Sequence, residues 1–518
     1  MYLMQMNCAL YHSAMTHFLN SLMLLSLFMI VPGMAQEGAN DQIPAPEREI
    51  MDNMKFDGYR GIWWRHPPMT DRYQSPSYNS TDFKYSGPLS FAWPHTVAPM
   101  AIYAEEVNKT FFVFGGDTGP RNRHLLAMIS YYDHEKHLVP KPTVVRDQRG
   151  VDDPHDNPSI TIDEEGYLWV FIAGRGRHRP GQIFRSREPY SIDSFDLIIE
   201  REQTYSQIWQ VPGRGFLHLS TLYTDGRELY WETHLEGETW TDEPAKDHHK
   251  LVGFGGHYQV SRALGNKIGT AFNYHPDGNV DRRTNLYYLQ TEDFGETWTT
   301  VDGTPVETPL SDRINPALIH NYESQGKNAY PNQLLFDKDG HPVILHITAF
   351  GAAPVLENAP RAWIVTRWTG EEWVDQYVTV SDHAYDEGAF YIHNDRWSLI
   401  APALSGPQAG FNGGEIGLFE TTTPYDHKND WWQLRQQVTR NSPFNHGYVR
   451  RPHNPVDPFY AIWADANPKE NSISRIYFTN SRGDRLYMLP YEMDEEFAEP
   501  ILLNPQIPPN EEMTINEQ

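Results

Sequence analysis

The chain has 518 residues with 42 Lys and Arg against 68 Asp and Glu, a formal charge of −26, one cysteine, and an aromatic fraction of 13%. That balance excludes a nucleic-acid binder, which carries the opposite sign. A single cysteine, Cys8, excludes a disulfide framework, a cysteine-rich zinc site and thiol catalysis once the leader is removed.

Residues 1–35 contain no Lys, Arg, Asp or Glu and hold the apolar run Leu22–Val31, followed by Gly33 and Ala35. They read as a signal peptide cleaved near Gln36, with a run too short for a membrane span, so the mature chain is expected to be secreted or periplasmic. Residues 36–54 read as a flexible segment, 55–503 as one domain, and the acidic, Pro-rich stretch 504–518 as a flexible tail. Helical periodicity is nearly absent from 55–503. Short apolar runs such as Thr110–Phe114, Tyr167–Ile172, Phe216–Ser220, Asn285–Leu289 and Pro342–Ile347 alternate with Gly, Asn, Asp and Pro. Asp-Gly pairs at 225–226, 277–278 and 339–340 supply turns.

Two repeats organise these runs. Asn157–Ile172 and Pro331–His346 each give a strand, an Asp-x-x-Gly turn (Asp163–Gly166, Asp337–Gly340) and a second strand, read as the middle hairpin of a propeller blade. Thr291–Trp298 fits an Asp-box, x-x-Asp-x-Gly-x-Thr-Trp, with degenerate copies at Gly237–Trp240 and Gly370–Trp373. The expected fold is an all-β propeller of seven blades, at 98–140, 155–200, 205–245, 255–303, 328–380, 386–425 and 455–490, with segment 56–66 a candidate to close the ring.

Function in such a fold lies in loops at one end of the central channel. His155, within Asp152-Asp-Pro-His-Asp-Asn157, precedes an inner strand and is read as a proton carrier or, alternatively, as a turn cap. Asn157 accompanies it as a substrate-binding candidate. Arg175, Arg177, His178 and Arg179 form a basic patch that opposes the global charge and suits an anionic ligand. A third group comprises His257 and Tyr258, then Asn273, Tyr274 and His275, then Arg282 and Arg283. Tyr258 and Tyr274, one hairpin apart, are expected side by side. His95, after Trp93-Pro94, is a fourth candidate, whereas the stretches at 382–386 and 445–451 are read as structural. No metal motif occurs, though a structural Ca²⁺ is compatible with the Asp-rich turns.

Around His155-Asp-Asn157-Pro through Asp163-Glu-Glu-Gly166-Tyr and Arg185-Ser186, the chain resembles the BNR-4 repeat propellers. These include ulvan lyases, rhamnose–glucuronate lyases, an ulvan-oligosaccharide dehydratase and propeller α-L-rhamnosidases. The resemblance implies β-elimination on a uronate-containing poly- or oligosaccharide by a monomeric enzyme that needs no cofactor. The alternatives are hydrolysis of rhamnose–glucuronic acid linkages and non-catalytic glycan binding. It matches His155 to the first catalytic His, Tyr258 to a catalytic Tyr, and Arg282 or Arg283 to the uronate-neutralising Arg. At the place of the family's second His stand Arg175, Gly176 and Arg177, with His178 slightly later. The rhamnosidase reading would use His95 instead.

Overall fold

The computed structural model describes residues 51–503 apart from 62–95, 119–123, 152, 236–239, 241–248, 353–355, 427–430 and 469–471. The signal peptide, the N-terminal part of the 36–54 segment, the tail from 504 onward and His95 therefore lie outside the described residues.

Seven antiparallel sheets follow one another along the chain, each the size of a blade. Their innermost strands are Ala101–Ala104, Pro158–Ile162, Thr204–Val211, Gln259–Leu264, Asn328–Phe336, Ala389–His393 and Asn445–Arg450. The fold is a seven-bladed β-propeller. Among the described residues no helix is long and apolar enough to cross a membrane.

Burial follows from each strand's distance from the channel. A second strand has neighbouring blades on both faces, so it reads as a continuous apolar run: Pro342–Ala349 is buried at every position. An outermost strand meets solvent, and Gln433–Gln437 buries none of its five residues. Broad side chains fill the gaps between these wedges. Trp363, Trp397 and Trp463 are all fully buried, each contributing on the order of 2–3 kcal/mol through removal of its ring from water.

The two Asp-x-x-Gly repeats superimpose in role. The Asp163 carboxylate accepts the backbone N–H groups of Glu165 (3.1 Å) and Tyr167 (2.8 Å), and Asp337 accepts those of Asp339 (3.0 Å) and His341 (2.9 Å). The hairpin is not the middle one, as expected, but the first two strands of its blade, because each blade starts at the channel and works outward. The Asp-box joins the third and fourth strands of blade 4. Asp293 accepts from Thr291 (2.8 Å) and Thr297 (2.6 Å), and Trp298 is buried beneath. A Cβ on Gly295, at φ +93°, would sit 2.3 Å from Trp231, which explains the glycine. The last blade begins at Asn445 rather than 455, since Asn445–Arg450 is its innermost strand.

Among the described residues no blade takes strands from both ends of the chain. Instead the segment before residue 62 ties blade 1 to blade 7 from outside. Asn53 N–H and Phe56 N–H donate to Val144 and Pro142 (2.7 Å each), while Tyr59 and Gly61 donate to Pro490 (2.9 Å) and Ser474 (3.1 Å). Gly58 lies so close to Tyr491 that a Cβ would meet its carbonyl oxygen at 2.1 Å. Nearer the axis, Ile102 and His453 form a parallel bridge.

Candidate active site

All innermost strands run the same way, so their starts, together with the turns between second and third strands, converge on one end of the channel, termed here the front mouth. At its blade 2 edge Pro154–Asp156 forms one 3-10 turn, capped by the Asp153 carboxylate accepting the His155 N–H at 3.1 Å. The same carboxylate holds His155 Nδ1 in a short hydrogen bond. Arg179 donates to both Asp153 (2.7 Å) and Asp156 (2.9 Å), and Arg175 Nε lies 3.4 Å from Asp153.

Charge in this cluster is finely set. Burial favours the neutral form of Asp153, but His155, Arg175 and Arg179 outweigh it and hold Asp153 well below the usual carboxylate range. Burial, then the Arg175 charge, pulls His155 down to about 4 against the pull of Asp153. Burial, reinforced by Asp153, pushes Asp156 up to about 7. At neutral pH His155 is a neutral imidazole. Because ionised Asp153 accepts from Nδ1, the lone pair falls on Nε2.

An aromatic chain leads from His155 across blades 3 to 6. His155 packs against Tyr205 (ring centroids 5.9 Å apart), Tyr205 against Tyr258 (5.3 Å), and Tyr258 against His275 (4.6 Å). Tyr205 and Tyr223 share a hydroxyl–hydroxyl bond of 2.8 Å, and Arg175 donates to the Tyr223 oxygen at 2.7 Å. Burial raises both phenols, Tyr223 to about 12, so both remain protonated donors. Arg227 stacks over Tyr223 at 5.0 Å. Arg283, nearly fully buried, lies over Tyr258 (4.5 Å), Tyr385 (4.5 Å) and Tyr330 (5.3 Å). Tyr385 in turn donates to Asp281 at 3.1 Å.

Residues 127–380 match the family model described as a BNR repeat-containing family member, a stretch from blade 1 to the end of blade 5 that includes His155, Tyr205, Tyr258 and Arg283. The resemblance to BNR-4 propellers holds. Two curated relatives are ulvan lyases. The one from Alteromonas sp. (strain LOR) is 20% identical over 43% of this chain and 52% of its own length. The one from Nonlabens ulvanivorans is 22% identical over 43% and 53%. The match thus spans about half the length of these relatives. Among solved structures, a PL25 ulvan lyase aligns with TM-score 0.60 at 14% identity, covering 77% of this chain and 95% of that one. A PL25 ulvan lyase bound to -[GlcA(1-4)Rha3S]- aligns at 0.58 with 13% identity and the same coverage. At these identities the structures establish the fold.

The front mouth of the propeller gathers His155, Arg175, Tyr258, His275 and Arg283 of the residues singled out from sequence. Others fall elsewhere. Tyr274 is not beside Tyr258: successive strand residues point to opposite faces, and its ring packs on Phe254 (5.5 Å) and His257 (6.2 Å). His257 is buried in that same aromatic layer, where burial drops it to about 3. Asn273 is a bracket rather than a ligand-facing group. It accepts the Tyr258 N–H (3.0 Å) and donates to the Ala329 carbonyl (3.1 Å), fixing blade 4 to blade 5. Asn157 is fully buried at the C-cap of the His155 turn. Arg177, paired with Glu202 at 3.4 Å, and His178 are exposed on the rim, and Arg282 is exposed beside Asp277 (3.6 Å).

Sequence reading passed over Asp153, Tyr205, Tyr223, Arg227 and Tyr330, and it took Tyr385, within 382–386, as structural. Tyr205 carries a structural signal: its φ of +56° is a left-handed conformation that an aromatic residue rarely adopts. It sits where the register shifts between Thr204 and Gln207, a bulge that aims the ring into the mouth.

Proposed function

We propose that the front mouth performs β-elimination on a uronate-containing polysaccharide of the ulvan type. One arrangement carries this reading: an imidazole, a phenol and three guanidinium groups made contiguous by the Tyr205, Tyr223 and Tyr258 rings. The C5 proton of a uronate is weakly acidic, so its carboxylate must be neutralised as charge moves onto it. Arg283, with Arg175 and Arg227, is assigned that task. Each is already desolvated and fixed by aromatic faces, so little reorganisation remains.

Neutral His155, with its lone pair on Nε2, removes the C5 proton. The Tyr258 phenol protonates the O4 leaving oxygen. The C5–H bond breaks, its electrons form the C4–C5 double bond, and the C4–O4 bond carries its pair to the departing oxygen. If O4 belongs to a sugar the enzyme is a lyase, and if to water it is a dehydratase. No redox cofactor enters this scheme. The similarity to two ulvan lyases favours the lyase form. The apolar leader fits action outside the cytoplasm.

The test is incubation of the mature protein with ulvan and its oligosaccharides, following absorbance of the unsaturated uronate and product mass. Cleavage without added water, lost by about 10²-fold or more in His155→Ala, is expected. Free rhamnose released with added water, or product formation unchanged in His155→Ala, would overturn the reading.

A further inference from the structure

Behind the front mouth, along the innermost strands, the channel holds a small hollow that opens to solvent. Three guanidinium groups line it, those of Arg262, Arg450 and Arg451, against one carboxylate, that of Glu387. Glu387 is engaged by Arg450 at 3.3 Å. Arg450 also donates to the Val97 carbonyl in a short bond.

Arg262 and Arg451 are different. Arg262 rests over the Trp209 ring at 5.5 Å and makes no hydrogen bond or ion pair with any of the described residues. Arg451 donates through Nη1 to the Pro452 carbonyl at 3.2 Å, lies over Tyr391 at 5.4 Å, and keeps its Nε buried without an acceptor. His453 joins them, packed on Trp209 at 5.8 Å, with Nδ1 likewise buried and unpaired. Burial, and then mutual repulsion, lowers the affinity of Arg262 for its proton, and the same pair depresses His453. Ser261, Gln207 and Asn332 also line the hollow, their donors already given to Gln207, Gln259 and Asp386, so the cations are left as the groups that face it.

A guanidinium held largely out of water without a counter-charge is costly, and Arg262 and Arg451 are both half-buried. Two adjacent ones, in a protein of net charge −26 with carboxylates to spare, point to a counter-ion supplied from outside. We propose that Arg262 and Arg451, with His453, form an oxyanion-binding site inside the propeller channel, separate from the front mouth. Planar guanidinium forks match the spaced oxygens of sulfate, phosphate or a carboxylate. The site does not depend on the elimination chemistry.

The test is thermal unfolding of the full chain at pH 7 and constant ionic strength, with chloride replaced at millimolar levels by sodium sulfate or by sodium glucuronate. The two salts separate a free inorganic oxyanion from the carboxylate of a saccharide. A saturable rise in Tm with either salt, weakened at least tenfold in apparent affinity by Arg262→Gln, is expected. A second readout is the anomalous signal of crystals soaked in selenate, with a peak expected between the Arg262 and Arg451 guanidinium groups. No saturable rise with either salt, an equal rise in Arg262→Gln, or a featureless channel in the selenate crystal would overturn the proposal.

Discussion

The arginines of the front mouth and those of the channel behind it solve the same electrostatic problem in opposite ways. Arg175 and Arg179 are held by Asp153, Asp156 and Tyr223, and Arg283 is caged by three tyrosines. Arg262 and Arg451 have aromatic neighbours but no carboxylate partner among the described residues. The first set is preorganised, its orientation settled before any ligand arrives, as a site that must stabilise developing charge requires. The second set is incomplete in the protein alone, as a binding site for a stable anion is. Partnering, more than mere presence of cations, separates the two roles.

The comparison breaks first at Arg283. Replacing it with Met keeps the apolar volume among Tyr258, Tyr330 and Tyr385 but removes the charge, and kcat/KM on ulvan oligosaccharides should fall by about 10²- to 10³-fold. Near-normal turnover would place the neutralising role elsewhere. Asp153→Asn should cost less, about ten- to a hundredfold, because one of its two acceptor oxygens becomes a donating amide, so it can no longer accept from both His155 and Arg179, and the charge that partners Arg175 and Arg179 is lost. Circular dichroism and Tm would tell loss of catalysis from loss of fold.

The pH profile sharpens the comparison. His155 is depressed to about 4, so a base in its neutral form is present above that value and is lost as pH falls through it; the acid limb of kcat/KM should lie there. Arg175 is among the groups that depress it. Arg175→Gln should therefore move the limb to higher pH, toward the ordinary histidine value, and an unmoved limb would mean that His155 is not the titrating base. The smallest expected effect belongs to the channel. In chloride buffer Arg262→Gln relieves repulsion with Arg451 and should raise Tm by about 1–2 °C while leaving turnover unchanged. A fall in Tm would show that Arg262 is already balanced.

Much of the site was legible as residue types. His155, Arg175, Tyr258, His275 and Arg283 interrupt apolar patterns with groups that are costly to bury, and that signal is local. Tyr274 and His257 give the same signal and yet serve the aromatic layer between blades. Their neighbours in sequence, Tyr258 and His275, face the mouth instead. Which face a residue takes depends on strand register, and registers here shift at Thr204/Gln207 and Phe272/Tyr274. Tyr330, on the innermost strand of blade 5, and Tyr385, in the loop leading to blade 6, reach Arg283 because successive blades pack side by side.

What the sequence by itself determined was the blade: the strand lengths, the Asp-x-x-Gly and Asp-box turns, and the count of seven, all products of short-range periodicity and turn chemistry that need no distant partner. What only the tertiary structure decided was which polar side chains meet and which remain alone. Arg283 finds its tyrosines at positions 258, 330 and 385, and Arg262 meets no carboxylate among the described residues. A guanidinium's role is set by the charges and dipoles within a few ångströms of it, and in a closed ring those neighbours come from blades that local sequence cannot place side by side.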